Sequence, residues 1–177
     1  MLGGLLTFVG ILLAVVWLIA AYNQLVALRQ RVTKDWAELD RLLRQRHDEL
    51  SQLGELCARH LESGQPALER LADARSAVFG ARHARDAAAL GRAERELRQA
   101  RTELETLAAQ SPELAASAQL GQISQRVTAL DAEIAARRDL YNASAGAYNV
   151  AIEEFPGRVV AAIGGFAAYP PLDFEPR

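Results

Sequence analysis

The chain has a single cysteine, Cys57, so it has no internal disulfide to hold it together, and its redox compartment stays open, though compatible with cytoplasm. After residue 21 it is poor in β-branched and aromatic residues, and no strand-like run survives inspection, which excludes a sheet fold. It lacks an excess of either charge. The formal net charge is −2 with both signs interspersed, so no basic face exists to neutralise phosphates, and nucleic acid is not an expected partner. There is no glycine-rich phosphate loop and no nucleophile elbow. His47, His60 and His83 do not form a metal-ligand array. Cys57 and His60, one helical turn apart, supply two ligands where a structural site needs four and a catalytic one usually three. Glu153 and Glu154 end a helix and read as solvated rather than poised for acid-base work. No catalytic residue, metal, cofactor or small-molecule substrate is therefore expected.

Charge is missing altogether from residues 2–21, LGGLLTFVGILLAVVWLIAA. Twenty residues at ~1.5 Å each give ~30 Å of helix, the thickness of a hydrocarbon core. A core helix rarely stays apolar on every face for five turns, and nothing else in the chain is apolar enough to enclose this one. A cleaved signal peptide is the rival reading, with Ala20 and Ala21 as small residues near a cleavage point; the run has no basic residues before it and exceeds the usual apolar core of a leader. The expectation is an uncleaved transmembrane helix, with Trp17 and Tyr22 at the interface. Arg29, Arg31, Lys34 and Arg41 follow the span closely, which favours an outside amino terminus and a cytoplasmic body.

From Tyr22 the apolar residues Leu25, Leu28, Val32, Trp36, Leu39, Leu43, Leu50, Leu53, Cys57 and Leu61 recur by threes and fours, interrupted by Arg46 at a seam position. The step from Val32 to Trp36 is a stutter that relaxes a left-handed supercoil. A helix over 22–62, continuous with the span, is expected to end at residues 62–64, with Gly64 in a left-handed cap and Pro66 opening the next helix. Residues 66–110 carry Leu68, Leu71 and Val78, then Leu90, Ala93, Leu97, Ala100, Leu104 and Leu107. Between the two sets, residues 79–88 have little periodicity, so this stretch is one helix with an exposed turn or two helices. Ser111-Pro112 opens a third over 113–154, with Leu120, Ile123, Val127, Leu130, Ile134, Tyr141, Ala145, Tyr148, Ile152 and Phe155 recurring by threes and fours and Arg137 as its polar exception. Pro156-Gly157 ends it. In the remaining tail, residues 158–163 have room for one or two turns before the glycine and proline pairs, and so apolar a segment should fold back on the bundle or meet the membrane surface. The fold class is all-α: an N-terminal transmembrane helix (1–21) running into an elongated antiparallel up-and-down bundle of three to four helices (22–155), then an apolar tail (156–177).

The block YNQLVALRQRVTKDWAELDRLLRQRHDEL (22–50), the pairs Tyr141-Asn142 and Tyr148-Asn149, Phe155-Pro156 and Gly165-Phe166 together resemble the LemA family of bacterial membrane proteins in motif, order and spacing. Residues 57–130 match in helical character rather than in motif. After RHD the family continues with Leu, Ile, Pro, Asn and Leu where this chain has Glu49, Leu50, Ser51, Gln52 and Leu53, and its tyrosine-proline element is replaced by Ser111-Pro112, so this is a divergent member. The resemblance implies a single-pass, inner-membrane-anchored, up-and-down bundle, usually of four helices, with no settled molecular function.

Two constellations stand out. Tyr141 and Tyr148 lie seven apart on one helix face with Asn142 and Asn149 in parallel, and read either as a partner-recognition face or as buried polar groups that set helix register. Arg46 and Arg137 sit where leucine is expected. If residues 66–110 form one helix, counting ~36 Å along each helix brings both to the level of Asp86. Asp86 is then expected to pair with one or both, unless the arginines snorkel out of the seam. The functional expectation is a non-enzymatic scaffold acting through a protein partner or as a homo-oligomer at the membrane. An enzyme with a site near residues 79–88 and a signal-transducing stalk are the alternatives.

Overall fold

A computed structural model describes residues 2–61 and 64–174, with side chains from Leu6 onward. The expected end of the first helix at Glu62 and Ser63 lies outside the described residues. Six helices account for almost all of the rest: α1 (Leu2–His60), α2 (Gln65–Ala84), α3 (Ala87–Gln110), α4 (Pro112–Ala115), α5 (Ala118–Glu153) and α6 (Gly157–Gly164). No strand occurs among the described residues. The chain is all-α.

Leu6 to Ile19 of α1 are exposed, and α1 is, by length and composition, long and apolar enough near its amino terminus to cross a membrane. No proline or capping residue interrupts it before the charged part of α1, so one helix carries both.

The chain divides into two compact units: Met1–Ala37 with Leu140–Pro171, and Glu38–Asp139 with Leu172–Arg177. In the second unit, α1 runs against α2 in the opposite sense, since Asp40 meets Arg82, His47 meets Arg75 and Gly54 meets Leu71. Arg70 on α2 meets Glu103 on α3, so α3 reverses again. Arg126 and Asp131 of α5 meet Glu49 and Arg46, completing an up-down-up-down arrangement of four helices. Leu39, Leu43, Leu50, Leu53, Cys57, Leu71, Leu90, Leu104, Ile123 and Val127 fill its core, each 2% exposed or less. Burying side chains of this size contributes roughly 1.5 to 3 kcal/mol apiece.

Residues 66–110 are two helices, and the break is sharper than an exposed turn. Arg85 adopts φ 52°, ψ 34° and ends α2, and the Asp86 N–H bonds the Ala81 carbonyl at 3.1 Å. Asp86 then caps α3, its Oδ1 accepting from the Ala89 N–H at 2.9 Å. A non-glycine residue in the left-handed region costs about 1 kcal/mol, offset here by the closure of both helix ends. Gly80, within that weakly periodic stretch, lies inside α2. Gly64 is right-handed, φ −86°, and not the left-handed cap expected of it. A further interruption at Ala116-Ser117 separates α4 from α5, with the Leu120 N–H donating to the Ser117 hydroxyl oxygen at 3.3 Å.

In the first unit, α5 returns antiparallel to α1, bringing Trp36 edge-on to Tyr141 and Trp17 edge-on to Phe155. The chain turns at the cis peptide Phe155-Pro156 and enters α6, whose Val160 and Ala161 bury against Ala21 and Leu25, with Ala151, Ile152 and Phe166 around them. Gly157 permits that turn, because a Cβ there would stand 2.0 Å from the Ala151 carbonyl oxygen.

Candidate functional site

The charged seam residues of the second unit form one connected cluster. Arg46 reaches from α1, nine-tenths buried, and donates through Nη2 to Glu94 at 2.5 Å and through Nη1 to Asp131 at 3.0 Å. Arg101 donates to the other oxygen of Asp131, to Glu105 at 2.9 Å and to the Thr128 hydroxyl at 3.3 Å. Burial works against the charge on Arg46, but attraction and hydrogen bonds to Glu94 and then Asp131 outweigh it and hold its pKa above the usual value. Beside this cluster opens a cavity of about 290 Å³, reached also by Arg98, Arg138 and Phe174. Arg98 donates to the Phe174 carbonyl oxygen at 3.1 Å, and the Arg138 guanidinium lies over the Phe174 ring at 5.8 Å. The tail can lie this close to α3 because residue 91 is glycine; a Cβ there would meet the Asp173 carbonyl oxygen at 2.3 Å.

This differs from the expected Arg46–Asp86–Arg137 layer. Asp86 is exposed and serves as a helix cap, and Arg137 is exposed. The height argument treated residues 66–110 as one helix. Because the chain reverses at Arg85-Asp86, Asp86 lies at a bundle end, and the residue of α3 level with Arg46 is Glu94. Arg137 loses the seam to Arg138 because the step from Ile134 to Tyr141 is taken as four then three. Glu94, 4% exposed, reads as a surface charge when grouped with Arg92, Arg95 and Arg98. Its signal was its spacing, four after Leu90 and three before Leu97, and Arg101 follows Leu97 by the same rule.

The tyrosine-asparagine pairs hold the tail of the first unit. Asn149 Nδ2 donates to the Tyr169 carbonyl oxygen at 2.8 Å while its Oδ1 accepts from the Tyr169 N–H at 2.9 Å. The amide thus pairs with an extended residue as a neighbouring strand would. Tyr141 donates its hydroxyl to the Pro170 carbonyl oxygen at 3.2 Å, and Tyr148 packs edge-on to Tyr169 with centroids 5.2 Å apart. Burial, and then Tyr169, push the Tyr148 phenol above its ordinary pKa. Asn142 is half-buried one residue after Tyr141. These four residues therefore lie together on α5, and three of them touch residues 169–170.

Near residues 79–88, a second cavity of about 320 Å³ is lined by His47, Asp48, Phe79 and Arg82. Arg82, 6% exposed, donates to Asp40 at 3.1 Å and lies over the Phe79 ring. Desolvation, and then the charge of Arg75 at 3.1 Å, depress the pKa of His47. Cys57 is buried, and desolvation followed by Glu105 pushes its thiol up to about 11, which leaves it a poor nucleophile. Among the described residues no three of His, Cys, Asp or Glu converge as metal ligands.

Comparison with known proteins gives one family: the model of the LemA family matches residues 35–176. No curated protein matches the chain.

Proposed function

The chain belongs to the LemA family, and from that premise we propose that it is a membrane-anchored, non-enzymatic helical scaffold that acts through contacts with a protein partner or with copies of itself. The observation that carries this reading is the continuity of α1, which joins a stretch of exposed apolar side chains, Leu6 to Ile19, to the packed seam beginning at Ala21 and Leu25 without a break. The amino terminus faces outward and the body lies in the cytoplasm, as the cluster Arg29, Arg31, Lys34 and Arg41 favours.

The ionic groups support a structural role over a catalytic one. Glu94, Asp131 and Glu105 are each engaged by arginine. The pairs hold the helices in register. The test is crosslinking of the intact protein in native membranes, followed by identification of what is captured. One stoichiometric partner is the result expected of an adaptor, and the chain alone is that of an assembly. Monomer recovered without any partner at saturating crosslinker would refute the proposal.

A further inference from the structure

The exposed apolar side chains on the tail side of the first unit form a stripe. Phe155 is 71% exposed, Val159 40% and Ile163 84%; Val159 and Ile163 lie four apart on one face of α6, and Phe155 stands in the turn before it. The opposite side of α6 is satisfied, with Val160 and Ala161 packed on Ala21 and Leu25. Solvent is an unfavourable neighbour for three such side chains together. Their height decides what covers them. Val160 and Ala161 sit against Ala21, the last residue of the apolar stretch, and Phe155 stacks edge-on to Trp17, with centroids 4.9 Å apart, four residues and ~6 Å further into that stretch. Surface-lying amphipathic helices bury their apolar face ~5 to 10 Å into the headgroup and acyl boundary, the same depth. Arg158 is exposed beside the stripe and long enough to place its guanidinium among headgroup phosphates.

We propose that Phe155, Val159 and Ile163 are embedded in the lipid interface beside the span, giving the chain a second, lateral membrane contact that fixes the rotation of α1 in the bilayer. The proposal rests on the anchor reading above. The occupant is lipid rather than a second copy because the stripe is continuous with Trp17, a side chain the bilayer already surrounds. The test uses the full chain carrying Cys57→Ala, reconstituted in phosphatidylcholine vesicles. An environment-sensitive thiol probe is placed by Ile163→Cys, Val159→Cys, Leu12→Cys or Arg59→Cys, with quenchers carried either near the headgroup or deep in the acyl chains. Arg59 is exposed and belongs to the second unit, outside the apolar stretch of α1. Probes at 159 and 163 are expected to be quenched about threefold more by the headgroup-proximal lipid than the probe at 59, consistent with interfacial burial. The probe at 12 should respond to the deep quencher. If the probe at 12 is quenched while those at 159 and 163 behave like the one at 59, the stripe is not in lipid and the proposal fails with the anchor intact. If 159 and 163 are shielded from water yet unquenched, a protein covers them and the proposal also fails. An unquenched probe at 12 overturns the anchor and the proposal together.

Discussion

Glu94→Leu removes the acceptor for Arg46 Nη2 while leaving the guanidinium buried, with only 8% of its side chain accessible. Breaking a buried pair in this way typically costs about 3 to 5 kcal/mol, far more than the pair contributes net, because the surviving charge keeps its desolvation penalty. Asp131 still holds Nη1 at 3.0 Å, but 39% of its side chain is accessible, so water screens that contact and the rescue is partial. The expected loss is therefore at the lower end, about 3 kcal/mol. Removing both partners, Arg46→Met with Glu94→Leu, should bring stability back to within about 1 kcal/mol of the parent, since Asp131 keeps Arg101 and retains access to water. The assay is urea unfolding of the full chain in detergent, followed by helical circular dichroism, with unchanged slopes as the control for an intact unfolded reference. A single variant that costs under about 1 kcal/mol, or a double variant that costs as much as the worse single, would show that the cluster is not a coupled buried unit.

Asp86→Ala should cost about 1 kcal/mol through loss of the α3 cap and should be additive with Glu94→Leu in the same unfolding assay; strong coupling between them would restore the layer that the α2–α3 reversal replaces. Asn149→Ala deletes both bonds to Tyr169, and amide exchange of residues 166–169 should quicken by about tenfold while the core of the second unit is unaffected. The pKa of His47 is depressed in the folded chain, so the unfolded chain takes up that proton first as pH falls. Its contribution is present above its ordinary value of 6.5 and is lost as pH drops through the depressed folded value. His47→Gln should therefore flatten the stability profile measured from pH 7 downward, and a slope that survives the substitution would assign it elsewhere.

The helix period was legible because apolar burial is a local property of each helix face: most apolar seam residues read from α1, α3 and α5 are buried and the rest are half-buried, except Phe155, which leaves the seam because α5 ends at Glu153, and the tail forms the short helix its glycines and prolines allow. What escaped depended on long-range geometry. The reversal at Arg85-Asp86 has no glycine or proline to mark it; besides the lapse of periodicity over 79–88, its trace is an aspartate ahead of Ala87, Ala88 and Ala89, a cap without the acidic partner that makes a capping box recognisable. Of the two readings of residues 66–110, the one-helix reading misplaced Asp86 and hid Glu94, since heights along a bundle follow from which way each helix runs. Seam spacing alone would have found Glu94 and Arg101, but charged residues are usually solvated, and composition outweighed position. The clamp on residues 169–170 was legible only in part: the apolar tail was expected to fold back on the bundle or meet the membrane, but not against which residues. Tyr141 and Asn149 showed that something polar needed satisfying, and an extended tail leaves no periodic signature of where it lies.

The central claim is that the apolar part of α1 is retained and holds the body at a bilayer. It is tested most directly by alkaline carbonate extraction of membranes from cells expressing the untagged chain, with the intact mass of the recovered protein measured in the same samples. The account predicts a protein that stays with the membrane pellet and whose mass includes residues 2–21. Recovery in the supernatant, or a mass that begins after Ala21, would contradict it.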